Sequence, residues 1–268
     1  MTLLKKFLEQ EAKAIISVDN KLEELEVEKS LRLLNDCIDN SAKLVISGVG
    51  KSGIIARKIA ATFSSIGLMS LYLNPLDALH GDLGLVQSKD ICMLISNSGE
   101  TSELIQLLPH LKRRNVPTIA LVGRSNCSLS RNCDILLEAS IDREACPLNL
   151  APTTSTSVSM AIGDALVAEL MERRNISTCD FAFNHPAGSL GKKLLLLSSD
   201  LMISIDKMKP LYANTPFLDV ITALTKDGIG AGWVEDPNKK GCLIGIITDG
   251  DLRRGLKKHS KENWADLK

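Results

Sequence analysis

The chain has 268 residues, 44% of them hydrophobic, and Lys+Arg balance Asp+Glu at 32 each. That length suits one large domain, or a domain with a small companion, built round a real core. The neutral formal charge argues against coating nucleic acid or gripping a membrane through basic patches, and no apolar run reaches the roughly 18 residues of a transmembrane helix. Residues Met1 to Glu11 lack the apolar core and cleavage site of a signal peptide. Seven cysteines form no C-x-x-C pair, and the four histidines do not stand at metal-ligand spacing. Cys37, Cys92 and Cys242 lie among apolar residues and read as core fillers. The expectation is a cytoplasmic chain without disulfides or a metal.

Along residues 3–40, Leu4, Phe7, Leu8, Ile15, Val18, Leu22, Leu25, Leu31, Leu34 and Ile38 follow helical spacing. Two helices are predicted here, packed on a sheet or on another subunit. Strands are predicted near 43–48, 70–73, 90–95, 117–122 and 134–138, and helices near 51–66, 101–114, 126–132 and 153–174. This alternation predicts an α/β fold with a doubly wound, parallel, five-stranded sheet. Ligands of such folds bind outside the carboxyl ends of the strands. Residues 175–200 are mixed and contain the loop His185-Pro186-Ala187-Gly188. Beyond them the texture changes. A short helix at 219–224, a strand at 228–234, a turn at Asp236-Pro237-Asn238, a strand at 242–247 and a helix opened by Thr248-Asp249-Gly250-Asp251 make a smaller α/β unit. The predicted domains are therefore 1–199 and 200–268.

Two strand ends carry the chemistry. Leu44-Val45-Ile46 breaks into Ser47-Gly48-Val49-Gly50-Lys51-Ser52-Gly53, and Ile91-Cys92-Met93-Leu94-Ile95 breaks into Ser96-Asn97-Ser98-Gly99-Glu100-Thr101-Ser102-Glu103. Each reads as a buried strand, a hydroxyl- and glycine-rich loop, then a helix. Such a loop turns backbone N–H groups and a helix N-terminus toward an anion. Two of them at one sheet edge make a phosphate cradle, each with a chemically useful side chain, Lys51 or Glu103. The G-x-G-x-x-G at 48–53 also matches a dinucleotide fingerprint, but that reading needs an acid near the end of the next strand, and the nearby Asp77 lies past Pro75. Gly50-Lys51-Ser52 is not a P-loop, because position 45 is a valine.

Other features have plain structural readings when taken singly. Ser98 or Thr101 is expected to cap the following helix, with Glu103 favourable in its first turn. Thr153-Thr154-Ser155-Thr156-Ser157 starts an apolar-faced helix, although five successive hydroxyls suggest a third wall of a polar site. Glu144 alone reads as a solvated loop acid, His185 as a surface or satisfied histidine, and His80-Gly81-Asp82-Leu83-Gly84 as a turn.

Together, GVGKSG, HGDLG, SNSGETSE, EACPLNLAPTTSTS and NHPAGSLGKKL, in that order, resemble the sugar-isomerase (SIS) domain of the D-arabinose-5-phosphate isomerase family over roughly residues 1–200. Ala187 departs from the glycine common in the family, which restricts the backbone after Pro186. The resemblance implies a flavodoxin-like SIS fold with Lys51, Glu103, Glu144 and His185 as catalytic residues. It places Ser47, Gly50, Ser52, His80, Ser96, Ser98 and Thr101 around the substrate and its phosphate. The segment from Asp200, with Gly245-Ile246-Ile247-Thr248-Asp249-Gly250-Asp251, is similar to the first cystathionine-β-synthase-type (CBS) repeat of these enzymes. The chain stops where a second repeat would start, so a half-module without a bound nucleotide is expected.

The implied reaction interconverts D-ribulose 5-phosphate and D-arabinose 5-phosphate through an enediol, without a metal or other cofactor. Its product would feed synthesis of the eight-carbon acid sugar of lipopolysaccharide (Kdo) or of related capsules. Glu144 is favoured as the base at carbon, its pKa brought toward neutrality by burial, with His185 opening the ring and moving protons between oxygens. Lys51 would offset enediolate charge. The resemblance further implies a homo-oligomer, a tetramer or at least a dimer, with His185 reaching across a subunit contact, and no nucleic-acid or membrane partner. The rival readings are an isomerase of another sugar phosphate, such as a 3-hexulose 6-phosphate, and a catalytically inactive sugar-phosphate sensor. Regulators of the latter kind join the domain to a helix-turn-helix, for which residues 1–40 are too few and too acidic.

Overall fold

The computed structural model describes residues 2–188, 191, 193–194, 196–226 and 228–258. Residues 259–268 of the predicted C-terminal domain, and Ser189, Leu190 and Lys192 of the NHPAGSLGKKL motif, lie outside the described residues. The chain divides into two compact units, Met1–Leu195 and Leu196–Lys268, four residues before the expected boundary.

In the first unit, α1 (Leu3–Ser17) and α2 (Glu24–Asp39) precede β1 (Leu44–Gly48), α3 (Gly50–Ser65), β2 (Ser70–Leu73) and α4 (Pro75–Leu79). Then come β3 (Ile91–Ser96), α5 (Ser102–Arg113), β4 (Thr118–Val122), α6 (Ser128–Asn132), β5 (Ile135–Glu138), α7 (Thr154–Arg174) and α8 (Thr178–Phe183). The strands lie in the order β2-β1-β3-β4-β5, all parallel. Side chains alternate across a strand, and this sheet is buried on both faces. Leu44, Ile46, Met93, Ile95, Ile119 and Leu121 pack with Leu31, Leu34, Ile59, Phe63 and Ile162 of α2, α3 and α7. Val45, Cys92, Leu94, Ala120 and Val122 pack with Leu104, Leu107, Leu111 and Leu129 of α5 and α6. Phe63, fully buried, contributes about 2–3 kcal/mol of hydrophobic stabilisation. The winding reverses between β1 and β3, which opens a crevice at their carboxyl ends.

Two departures from expectation stand out, and α1 bears on the choice between the two packings expected of it. α4 and α8 are too short to show periodicity, and their signal is in their caps. Asn74 Oδ1 accepts from the Leu76 N–H at 3.0 Å, and Ser177 and Asp180 form a reciprocal capping box. The apolar row of α1 does not reach the sheet, for Leu3, Leu4 and Leu8 remain 71%, 69% and 59% exposed. Cys37 and Cys92 are buried as expected, whereas Cys242 is only half-buried.

The second unit contains α9 (Ser198–Leu201), α10 (Phe217–Lys226), β6 (Ala231–Glu235), β7 (Leu243–Thr248) and α11 (Asp249–Lys258). β6 and β7 are antiparallel, and Leu211 bridges Val234. Its core is small: Leu211, Val220, Leu224 and Leu252 are buried, while Leu243, Ile244 and Ile246 of β7 are exposed.

Candidate active site

Three walls meet at the β1–β3 crevice. At the first, Gly50 at φ +59° turns the chain straight from β1 into α3, a conformation costly for any residue with a Cβ. Lys51 and Ser52 thereby occupy the first turn of α3.

The second wall is the loop after β3. Ser96 Oγ lies 2.8 Å from Thr101 Oγ1 and 3.4 Å from Ser98 Oγ, and it accepts from the Gly99 N–H at 3.0 Å. The expected cap on α5 is absent. Thr101 sits at the cap position, but its hydroxyl turns to Ser96 and makes no capping bond. The start of α5 thus has no bond from its cap side chain, and a helix start of that kind suits an anion.

The third wall is the start of α7, and here Glu144 differs from the solvated acid expected of it. It is only 7% exposed. Its Oε2 accepts from the Thr153 N–H at 2.8 Å, the Ser155 N–H at 3.1 Å and the Thr153 hydroxyl at 3.1 Å. Its Oε1 accepts from the Ser155 hydroxyl. The carboxylate caps α7 from outside the helix, where the dipole favours negative charge. The loop is closed by Asn149 Oδ1, which accepts from the Glu144 N–H at 2.7 Å. Burial pushes the Glu144 carboxyl up, but the bonds from Ser155 and Thr153 outweigh burial and hold it below its ordinary value. The expectation that burial brings it toward neutrality is therefore corrected.

Between these walls lies a cavity of about 160 Å³ lined by Lys51, Ser52, Asn97, Ser155, Thr156 and Ser159, with Val49, Ile55 and Ile95 supplying apolar surface. Asn97 and Ser159 were not singled out from the sequence. The available signal for Ser159 was its spacing, four residues after Ser155 on the same helix face.

The remaining candidates stand elsewhere. Ser47 is fully buried, and its hydroxyl has no hydrogen-bond partner among the described residues. His80 follows α4 and is exposed. Glu103, in the first turn of α5, accepts from the Ser102 hydroxyl at 2.7 Å, which holds its carboxyl below the ordinary value. His185 stacks on Phe181 with ring centroids 4.1 Å apart, and its Nδ1 lies 2.8 Å from the Phe181 carbonyl oxygen. Its neighbour Asn184 donates to the Ser65 carbonyl, at the opposite end of α3 from Lys51. At 1.5 Å rise per residue that separation is about 20 Å. A single chain thus brings Lys51, Ser52 and the Glu144–Ser155 pair together and leaves Ser47, Gly50, His80, Ser96, Ser98, Thr101, Glu103 and His185 outside the cavity lining. Among the described residues, no group of three or more His, Cys, Asp or Glu could hold a metal ion, and no helix is long and apolar enough to cross a membrane.

A parallel sheet in this order, with polar loops at its switch point, defines a doubly wound α/β domain, and the SIS domain family matches residues 38–169. The chain is 40% identical over 258 residues to arabinose 5-phosphate isomerase KpsF of Escherichia coli O6:H1, covering 96% of this chain and 77% of that one. It is 44% identical over 214 residues to arabinose 5-phosphate isomerase KdsD of Salmonella typhi, covering 80% of this chain. The match spans 65% of the length of that KdsD relative. A solved structure of an E. coli CFT073 protein in complex with arabinose 5-phosphate superposes with a TM-score of 0.64 at 40% identity, covering 69% of this chain and 96% of that one. A putative sugar-phosphate isomerase from Listeria monocytogenes superposes with a TM-score of 0.66 at 31% identity, covering 69% and 95%. The chain belongs to the arabinose 5-phosphate isomerase family.

Proposed function

We propose that this chain interconverts D-ribulose 5-phosphate and D-arabinose 5-phosphate. The observation that carries the reading is the convergence at one cavity of Lys51, Asn97 from the hydroxyl loop 96–101, and Ser155 of the Glu144-capped start of α7. The phosphate would lie on Ser96, Ser98, Thr101 and the uncapped start of α5. The reacting carbons, at the other end of the substrate, would then extend toward Lys51. A carboxylate removes a proton from C1 of the ketose while the C2 oxygen gains one, giving the enediol. C2 is then protonated as the C1 hydroxyl loses its proton. Lys51 stabilises negative charge developing on the oxygens. Glu144 is the favoured base, since it is already ionised. It must exchange its bond from Ser155 for the substrate. Glu103 borders the phosphate loop and is the second carboxylate of the site.

His185 stands too far from Lys51 to serve the same chain's site. We assign it to the site of another copy, where it opens the sugar ring and moves protons between oxygens. The exposed apolar row of α1 supports such an assembly, a tetramer or at least a dimer. All seven cysteines are free, which supports a reducing, cytoplasmic setting. The product would supply Kdo for lipopolysaccharide or capsule. The second unit is read as a first CBS repeat on its strand–strand–helix order.

The test is an assay of the purified chain in D₂O with ribulose 5-phosphate, ribose 5-phosphate and six-carbon ketose phosphates, followed by NMR. Arabinose 5-phosphate carrying deuterium at C2 is expected from ribulose 5-phosphate. Turnover confined to a six-carbon phosphate would overturn the reading in favour of its nearest rival.

A further inference from the structure

A further assignment rests on the isomerase reading and extends it to the carbon chain of the substrate. Two of the cavity's hydroxyls are already used within the protein: Ser155 donates to Glu144, and Thr156 donates to the Thr153 carbonyl at 2.7 Å. Four other polar groups facing the same space, the Lys51 ammonium, the Ser52 and Ser159 hydroxyls and the Asn97 carboxamide, make no side-chain hydrogen bond or ion pair among the described residues. Unpaired donors and acceptors over an apolar floor are what a polyol needs, with its carbons on the floor and its hydroxyls on the rim. The position of Asn97 is itself built in. Its Oδ1 lies where a Cβ on Gly123 would come within 2.2 Å, so only glycine at 123 lets the carboxamide sit there. Its carbonyl oxygen is held by the Gly123 N–H at 3.1 Å.

We propose that Asn97 and Ser159 bind the hydroxyl-bearing carbons remote from the phosphate and set how long a carbon chain the site accepts. An apolar cavity of about 150 Å³ takes up a six-carbon ring. A cavity of about 160 Å³ therefore has room for the reacting carbons of a sugar phosphate, and discrimination between chain lengths falls to the hydrogen-bonding groups on its rim.

Calorimetric titration of the full chain with inorganic phosphate, ribulose 5-phosphate and fructose 6-phosphate tests this. Ser159→Val, which fills the space, should weaken ribulose 5-phosphate binding by about tenfold or more, on the scale of a mis-sized pocket. Ser159→Ala should weaken it by about two- to tenfold, the worth of one hydrogen bond, and narrow the preference for the five-carbon ligand. Asn97→Ala, which removes the carboxamide, should act in the same sense. Inorganic phosphate should bind all the variants as it binds the parent. Equal losses for phosphate and sugar phosphate, unchanged ribulose 5-phosphate affinity, or no binding of either by the parent chain would each overturn the proposal. Turnover is read separately. A parent that binds ribulose 5-phosphate through these residues but does not isomerise it would sink the isomerase reading and leave the subsite standing.

Discussion

The two ends of the central sheet use similar polar groups in opposite ways. At the amino ends, Asp90 is fully buried and accepts from the Lys43 N–H at 2.9 Å, the Lys43 ammonium at 2.7 Å and the Gln87 N–H at 2.8 Å. Asp134 likewise accepts from the Thr118 N–H at 2.8 Å and its hydroxyl at 2.7 Å. These carboxylates tie β1 to β3 and β4 to β5. At the carboxyl ends, among the described residues, Ser47 has a buried hydroxyl with no partner, and Lys51, Ser52, Asn97 and Ser159, exposed or half-buried, make no side-chain hydrogen bond. Only the Ser47 hydroxyl carries the cost of about 1–3 kcal/mol of a buried unpaired group; the others are open to water until a ligand replaces it. A fold tolerates that cost where a ligand can offset it. What marks the functional end is thus unsatisfied polarity rather than polarity itself. Glu144 is the instructive exception, a fully bonded carboxylate at the open end whose donors come from the helix that walls the cavity.

The largest expected effect lies at the closed end. Asp90→Ala removes the partner of a largely buried ammonium and two N–H groups, and should cost about 3–5 kcal/mol in denaturant unfolding. Turnover per folded molecule should hardly change, and a collapse of turnover at full stability would erase the contrast between the ends. Asp90 also makes a pH prediction. Burial pushes its carboxyl up, but the bonds from Lys43 and Gln87 outweigh burial and lower it. Its contribution is therefore complete above the unfolded value of about 4 and is lost as pH falls through the lower folded value. Unfolding measured from pH 6 downward should show a shallower acid slope in Asp90→Asn than in the parent.

At the open end, Glu144→Gln or His185→Ala should lower turnover by about 10²-fold or more, the scale of a lost acid or base. Near-normal turnover in either would show that the proton-transfer groups are assigned wrongly. Mixing inactive Lys51→Ala and His185→Ala chains under conditions that exchange subunits should restore part of the activity. Light scattering that finds a fully active monomer would rule out the shared site. Smaller still is the effect of removing Leu196–Lys268. Every proposed catalytic residue precedes it, so turnover should stay within about twofold, as for independent sites. Exhaustive chelation, with no nicotinamide added, should leave turnover unchanged, and recovery only on adding a divalent metal or NAD would contradict the mechanism.

The sequence by itself determined the sheet and the polar loops at its edge. Leu44–Ile46, Ile91–Ile95 and Ile119–Val122 are apolar runs long enough for strands buried on both faces. The glycine and hydroxyl clusters that end the first two place the crevice. Those signals act within a few residues, through side-chain period and turn chemistry, so they survive in one dimension. The tertiary structure alone decided the rest. Glu144 is buried because the N–H groups of residues nine and eleven positions downstream fold back onto it. Asn97 and Ser159 face one cavity because β3 and α7, far apart in the chain, flank the same end of α3. His185 is parted from Lys51 because Asn184 anchors its loop at the far end of that helix. Each of these depends on closing a loop between residues whose meeting no local pattern encodes, and only the packing of the whole sheet and its helices selects which loops close.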